Sequence, residues 1–274
     1  TTSILWENLE PVFVDINSRD LNINADLIEA AITEKTSGIL ATHVYGNPCD
    51  VEKIEAIAKK YNLKVIYDAA HAFGVQYKGK SLLEYGDIST CSFHATKVFH
   101  TVEGGSIICH SEELHQKVKL LKSFGHILDN YYVAGINGKN SEFHAAMGLC
   151  NLNHLSSIIS ERKSIFRIYD NLLNWNQLSK PTEIVEDLIY NFAYYPVVFE
   201  NIEITTKIIE ALNKENIYPR RYFYPSLNQL KYLTNYQSCP ISEDISCRVL
   251  SLPLYPDLEH EIVEKICEII NSNI

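Results

Sequence analysis

The 274-residue chain carries 34 acidic and 24 basic residues, a formal net charge of -10, and 46% of its residues are hydrophobic. This acidic balance offers no broad attraction to a nucleic-acid backbone, although a helix N-terminus can still hold the phosphate of a small ligand. The apolar share excludes a disordered chain, and the length predicts a large domain with a smaller one attached.

Seven cysteines, Cys49, Cys91, Cys109, Cys150, Cys239, Cys247 and Cys267, are scattered and lack C-x-x-C spacing. They read as reduced thiols, with no disulfide framework and no metal site. No run is apolar enough to span a bilayer and no signal-peptide pattern opens the chain. The expectation is a cytoplasmic protein without a membrane partner.

In chain order, "TTSILWENLEPVFVDI" begins without methionine and runs at once into the apolar "PVFVDI". It reads as a helix end leading into an interior strand, in a chain that lacks its beginning. "NADLIEAAIT" follows, with Leu27, Ile28, Ala31 and Ile32 on one stripe and Asn24 as N-cap. Next come the strand-like "SGILATHV" and the helical "CDVEKIEAIAKKYN", whose lysines gather in the last turn, and then the strand-like "KVIYDAA", "DISTCSF" and "GGSIICH". Strands apolar on both faces and separated by helices predict a mostly parallel sheet covered on both sides.

From Glu112 the pattern turns helical, over residues 112–123 and about 140–175, with the long loop "FGHILDNYYVAGINGKN" between them. A loop of that length is functional or rests on a partner. "NFAYYPVVF", "TTKIIEALNKEN", the tyrosine-rich "YPRRYFYPSL" and a helix near Glu259–Ile270 complete a second, α+β domain. The expected division is a large α/β domain over residues 1–158 and a smaller one over 159–274.

Ligands of open α/β sheets gather at the carboxyl ends of the strands. In "KVIYDAAHAFG" such an end supplies Asp68 and then His71; in "CSFHATKVFHTVEGG" another supplies Ser92, His94 and Lys97. A carboxylate and an amine at adjacent strand ends suit pyridoxal 5'-phosphate. Its aldehyde forms a Schiff base with a lysine, and a buried acid keeps the pyridine nitrogen protonated so that the ring withdraws electrons. The spacing alone also fits an Asp68 that caps a helix and a solvated Lys97. Gly104 and Gly105 predict a close backbone approach at the turn into the next strand. His43 and Tyr45, in "ATHVYGNP", read as pocket or as core, and Arg220 or Arg221 as neighbours of an anionic group or as solvated side chains.

Four blocks in order, "VIYDAAHAFG", "GDISTCSFHATKVFHTVEGGSI", "GINGKNSEFHAAMG" and "LSLPLYP", resemble the DegT/DnrJ family of pyridoxal-phosphate-dependent sugar aminotransferases. The resemblance implies the α/β fold of type I pyridoxal-phosphate-dependent transferases, with a mostly parallel sheet in a cofactor-binding large domain and a smaller C-terminal α+β domain. It makes Lys97 the residue that takes the cofactor covalently and Asp68 the partner of the pyridine nitrogen. His71, where many members have glutamine, becomes a hydrogen-bond partner of the phenolic oxygen, and Ser92 a holder of phosphate. Asn137 resembles an asparagine that reaches across a homodimer interface to the phosphate of the neighbouring subunit. The alternatives are His71 as a satisfied core histidine, Ser92 as a strand-end hydroxyl and Asn137 as a turn residue beside Gly138.

The implied reaction moves an amino group from an amino acid, glutamate, to a nucleotide-linked keto-deoxy sugar. The wording is most similar to members that form dTDP-4-amino-4,6-dideoxyglucose, with dTDP-4-keto-6-deoxyglucose as acceptor. A 3-keto acceptor, a non-catalytic or regulatory cofactor-binding relative, and an inactive fragment without the N-terminal phosphate-binding turn are the other readings. Nothing resembles a helix-turn-helix or a basic arm, so nucleic acid is not an expected partner.

Overall fold

A computed structural model describes residues 1–182 and 187–274. Among these residues the chain runs α1 (Thr2–Trp6), α2 (Ala25–Ala31), β1 (Gly38–Thr42), α3 (Val51–Tyr61), β2 (Lys64–Asp68), β3 (Gln76–Tyr77), β4 (Lys80–Ser81), β5 (Ile88–Ser92) and β6 (Gly105–Cys109). It continues through α4 (Glu112–Leu121), β7 (His126–Ile127), β8 (Asn130–Tyr131), α5 (Glu142–Leu152), α6 (Leu155–Leu172), β9 (Leu188–Ile189) and β10 (Tyr195–Val198). The last elements are α7 (Ile202–Lys214), α8 (Pro240–Arg248), β11 (Val249–Leu252) and α9 (His260–Asn271). No helix among the described residues is long and apolar enough to cross a membrane.

The chain forms two compact units, one of Ser37–Ile159 with residues 187–191, the other of Thr1–Thr36, residues 160–182 and Phe192–Ile274. In the first, four of the described strands form a sheet of order β1-β2-β5-β6, while β4-β3-β9 and β7-β8 pair separately. β1, β2 and β5 run parallel, and β6 returns antiparallel. The connection from β1 to β2 is α3, which forms because the Asp50 carboxylate accepts from Lys53 N–H and because Lys59 and Lys60 meet its carbonyl end. Asn62 in the left-handed conformation stops it. Its stripe of Val51, Ile54, Ile57 and Ala58 is buried.

Burial alternates along the strands, so one face carries Ile39, Ala41, Val65, Tyr67 and Cys91 into the core. The opposite face is half open: Leu40 and Ile66, Cα partners across β1 and β2, are 39% and 37% exposed.

The second unit buries the antiparallel pair β10 and β11 completely. "PVFVDI" is not an interior strand; within residues 11–16 only Ile16 joins a bridge, to Ile23. Side chains take its backbone instead. Phe13 N–H donates to Gln237 Oε1 at 2.8 Å, and Gln237 Nε2 donates to Pro11 O at 2.9 Å. The Asp15 carboxylate accepts from Ile241 and Ser242 N–H at 2.8 and 2.9 Å and so caps α8. Residues 1–36 thus group with residues 160–182 and Phe192–Ile274 in one compact unit.

Candidate active site

Parallel pairing places chemistry in rows. Thr42 is the Cα partner of Asp68, and Asp68 is the partner of Thr90. These three side chains share the open face, because residues in register on parallel strands point the same way. Ser92, two residues beyond Thr90, stands on that face at the end of β5, opposite Gly105 of β6. A Cβ on Gly105 would come within 2.7 Å of Cys91 O, so only glycine permits the approach that the sequence predicted for this turn. The Asp68 carboxylate accepts from Ala70 N–H at 3.1 Å, which orients it at the mouth of the turn.

His71 lies in that turn, 6% exposed. The backbone N–H of Tyr45 donates to its Nδ1 at 3.1 Å. Burial first, and then the charge of Lys97, lower its pKa from 6.5 to about 3. The ring is thus neutral, with its proton on Nε2 as a donor.

Lys97 is half-buried on the loop between β5 and β6. The loop folds back on itself: Phe93 N–H donates to Gly104 O, Thr101 N–H to Phe93 O and Lys97 N–H to His94 O. Phe93 and Phe99 of this loop bracket Phe73 of the His71 turn, with ring centroids 5.6 and 4.4 Å away. The Cys91 thiol registers both charges of the site. Burial pushes it up to about 12, Lys97 pulls it down and Asp68 pushes it further up. Asp68, His71, Ser92 and Lys97 are therefore brought together around the ends of β2 and β5.

Other sequence candidates fall elsewhere. His43 is buried on the opposite face from Thr42 and Asp68, stacked on Tyr67 at 4.5 Å, with Nδ1 accepting from Cys49 N–H. His94 is exposed and faces Thr96 and Glu103. Asn137 is exposed, on a segment bridged through its backbone to Ser123. Its side chain makes no hydrogen bond among the described residues. The loop that holds it contains the β7–β8 hairpin and exposes Leu128, Tyr131 and Ile136 at 84%, 77% and 71%. The backbone of Arg220 pairs with Ser251, and Arg221 lies over the Tyr224 ring at 3.4 Å.

Sequence reasoning missed Thr42 and Thr90, which the two-residue period from Asp68 and Ser92 would have found. The assembled set is a carboxylate, two hydroxyls, an imidazole N–H donor and an amine. It fits a phosphorylated aldehyde carried on a basic heteroaromatic ring.

The profile of the DegT/DnrJ/EryC1/StrS aminotransferase family matches residues 1–271. A dTDP-4-amino-4,6-dideoxy-D-glucose transaminase of Shigella dysenteriae is 42% identical over 278 residues, covering 98% of this chain and 75% of the relative. Among solved structures, DesI in the presence of its TDP-sugar product superposes with a TM-score of 0.90 at 28% identity, over 99% of this chain and 71% of DesI. Spr1654 of Streptococcus pneumoniae, solved in a PLP form, superposes with a TM-score of 0.88 at 25% identity, over 99% and 76% of the two chains.

Proposed function

Since the chain belongs to the DegT/DnrJ/EryC1/StrS aminotransferase family, a family of pyridoxal-phosphate-dependent enzymes, we propose that it aminates dTDP-4-keto-6-deoxyglucose with glutamate as donor. It is an aminotransferase whose acceptor is a nucleotide-linked keto sugar. The dTDP-linked amino sugar named for the Shigella transaminase and the TDP-sugar product named for DesI support this choice of acceptor. The single observation that carries the reading is the row of Asp68 and Thr90 on adjacent parallel strands, with Ser92 above it and the Lys97 loop beside it.

When bound, pyridoxal phosphate supplies an electron sink for charge that develops at the donor α-carbon. Asp68 would hold the proton on the pyridine nitrogen, Ser92 Oγ would donate to the phosphate, and His71, fixed as an Nε2–H donor, would face the phenolic oxygen. Lys97 would hold the cofactor through Nζ, and its free amine would serve as the base and acid that carries the donor's α-proton.

Asn137 completes the phosphate site of a neighbouring subunit in a homodimer. The exposed Leu128, Tyr131 and Ile136 of its loop support an interface there. The unit of Ser37–Ile159 with residues 187–191 binds the cofactor, because Asp68, His71, Ser92, Lys97 and Asn137 all lie in it. The reaction runs in the cytoplasm, where nucleotide-linked sugars and glutamate are available.

The test is turnover on a panel of dTDP-, UDP- and GDP-linked 3- and 4-keto sugars with glutamate, following 2-oxoglutarate and the mass of the aminated sugar. Amination of dTDP-4-keto-6-deoxyglucose above the rest is expected. Failure of every keto sugar with the cofactor still bound overturns it in favour of a non-catalytic cofactor-binding protein.

A further inference from the structure

We propose that Tyr190 and Asn191 are positioning residues, a strap following β9 that holds the His71 imidazole in one tautomer and one orientation. The inference rests on the reading of His71 as a cofactor-binding group.

The contacts close a circuit. Asn191 Nδ2 donates to His71 O at 2.8 Å and to Phe73 O at 2.9 Å, clamping the turn after β2. Tyr190 Oη donates to Tyr45 O at 2.7 Å, clamping the turn after β1. Tyr45 N–H then donates to His71 Nδ1 at 3.1 Å. From His71 through Tyr45 and Tyr190 to Asn191 and back to His71, each link is a hydrogen bond or the peptide bond between residues 190 and 191. All four residues are buried, at 6%, 1%, 4% and 1% exposure in that order.

Two features show that the circuit holds the backbone where it would not go unaided. Tyr45 sits in the left-handed region at φ 57, a conformation that a residue with a bulky side chain adopts at a cost of about 1–2 kcal/mol. Gly46, at φ 92, leaves no room for a side chain: a Cβ would lie 3.0 Å from His71 O and 3.4 Å from both Asn191 Oδ1 and the Tyr190 ring. Three chain segments far apart in sequence thus meet at one point, and what they fix in common is the Tyr45 N–H that chooses the His71 tautomer.

The test uses the full chain labelled with 15N-histidine, without cofactor, so that it does not depend on turnover. Long-range proton–nitrogen spectra of the wild type are expected to show His71 protonated at Nε2 alone. Asn191→Ala and Tyr190→Phe are expected to give a mixture of tautomers at His71, and in separate titrations to weaken pyridoxal phosphate about tenfold. Tyr190→Phe removes one hydroxyl and keeps the ring, so it folds even where Asn191→Ala does not. Both variants keeping the pure Nε2–H tautomer, with melting temperature alone lowered, overturns the strap as a positioning device. A wild type that binds no pyridoxal phosphate overturns the functional reading instead, and the histidine spectra still decide the strap.

Discussion

Phe73 and Phe99 stack with ring centroids 4.4 Å apart and planes 18° from parallel. One belongs to the turn that carries His71, the other to the loop that carries Lys97, so this contact sets the distance between the two halves of the site. Phe99 is 6% exposed and also meets Phe93 edge-on at 5.0 Å.

Phe99→Ala is expected to lower unfolding stability by about 3 kcal/mol, since it removes a buried ring and leaves a cavity. It also weakens pyridoxal phosphate. Phe99→Leu keeps most of the volume and loses less than half as much of either. Urea unfolding and cofactor titration on the two variants check the order.

Acid should act through the buried histidines before it reaches the carboxylates. Burial lowers both His43 and His71 from 6.5 to about 3, Lys97 adding to the shift at His71. Between those values the unfolded chain binds protons that the folded chain refuses, so stability falls as pH drops through the window. The slope is up to about 1.4 kcal/mol per pH unit for each histidine. His43→Asn is expected to flatten the dependence between about pH 6 and pH 5 by one such share, measured by urea midpoints on the cofactor-free protein.

Legibility in the sequence followed how local each contact is. The strand-end positions of Asp68 and Ser92 were readable because a strand end is a local fact, and the Asn24 cap and the lysine-ended α3 were readable for the same reason. His43 and Thr42 differ by a single position, yet alternation turns Thr42 toward Asp68 and His43 into the core behind Tyr67. "PVFVDI" looked like a strand because its apolar residues were visible and its partners were not. Gln237 and the first turn of α8 lie more than two hundred residues away. Asn191 reaches His71 across a separation of 120 residues, and nothing near it in the chain announces that role.

Arg162 shows the same distance from sequence pattern. Its guanidinium, 6% exposed, donates through one nitrogen to Leu254 O at 2.8 Å and Ala193 O at 3.1 Å. Burial pulls its pKa down to about 10, so it remains charged at neutral pH. Arg162→Met removes the donor from those buried carbonyls and is expected to cost about 3 kcal/mol in urea unfolding. Arg162→Lys recovers part of the loss.

The exposed hairpin loop gives a prediction about assembly. On the proposed homodimer, Leu128→Lys together with Ile136→Lys is expected to shift sedimentation from dimer to monomer, and to weaken pyridoxal phosphate by withdrawing Asn137 from the proposed phosphate site of the neighbouring subunit. The unit's own fold, read by far-ultraviolet circular dichroism, stays unchanged.

The most direct test of the central claim is chemical. The protein loaded with pyridoxal phosphate is reduced with borohydride, digested, and the pyridoxyl group located by mass spectrometry. The group is expected on Nζ of Lys97. Its appearance on any other lysine, or a protein that emerges unlabelled from the same treatment, contradicts it.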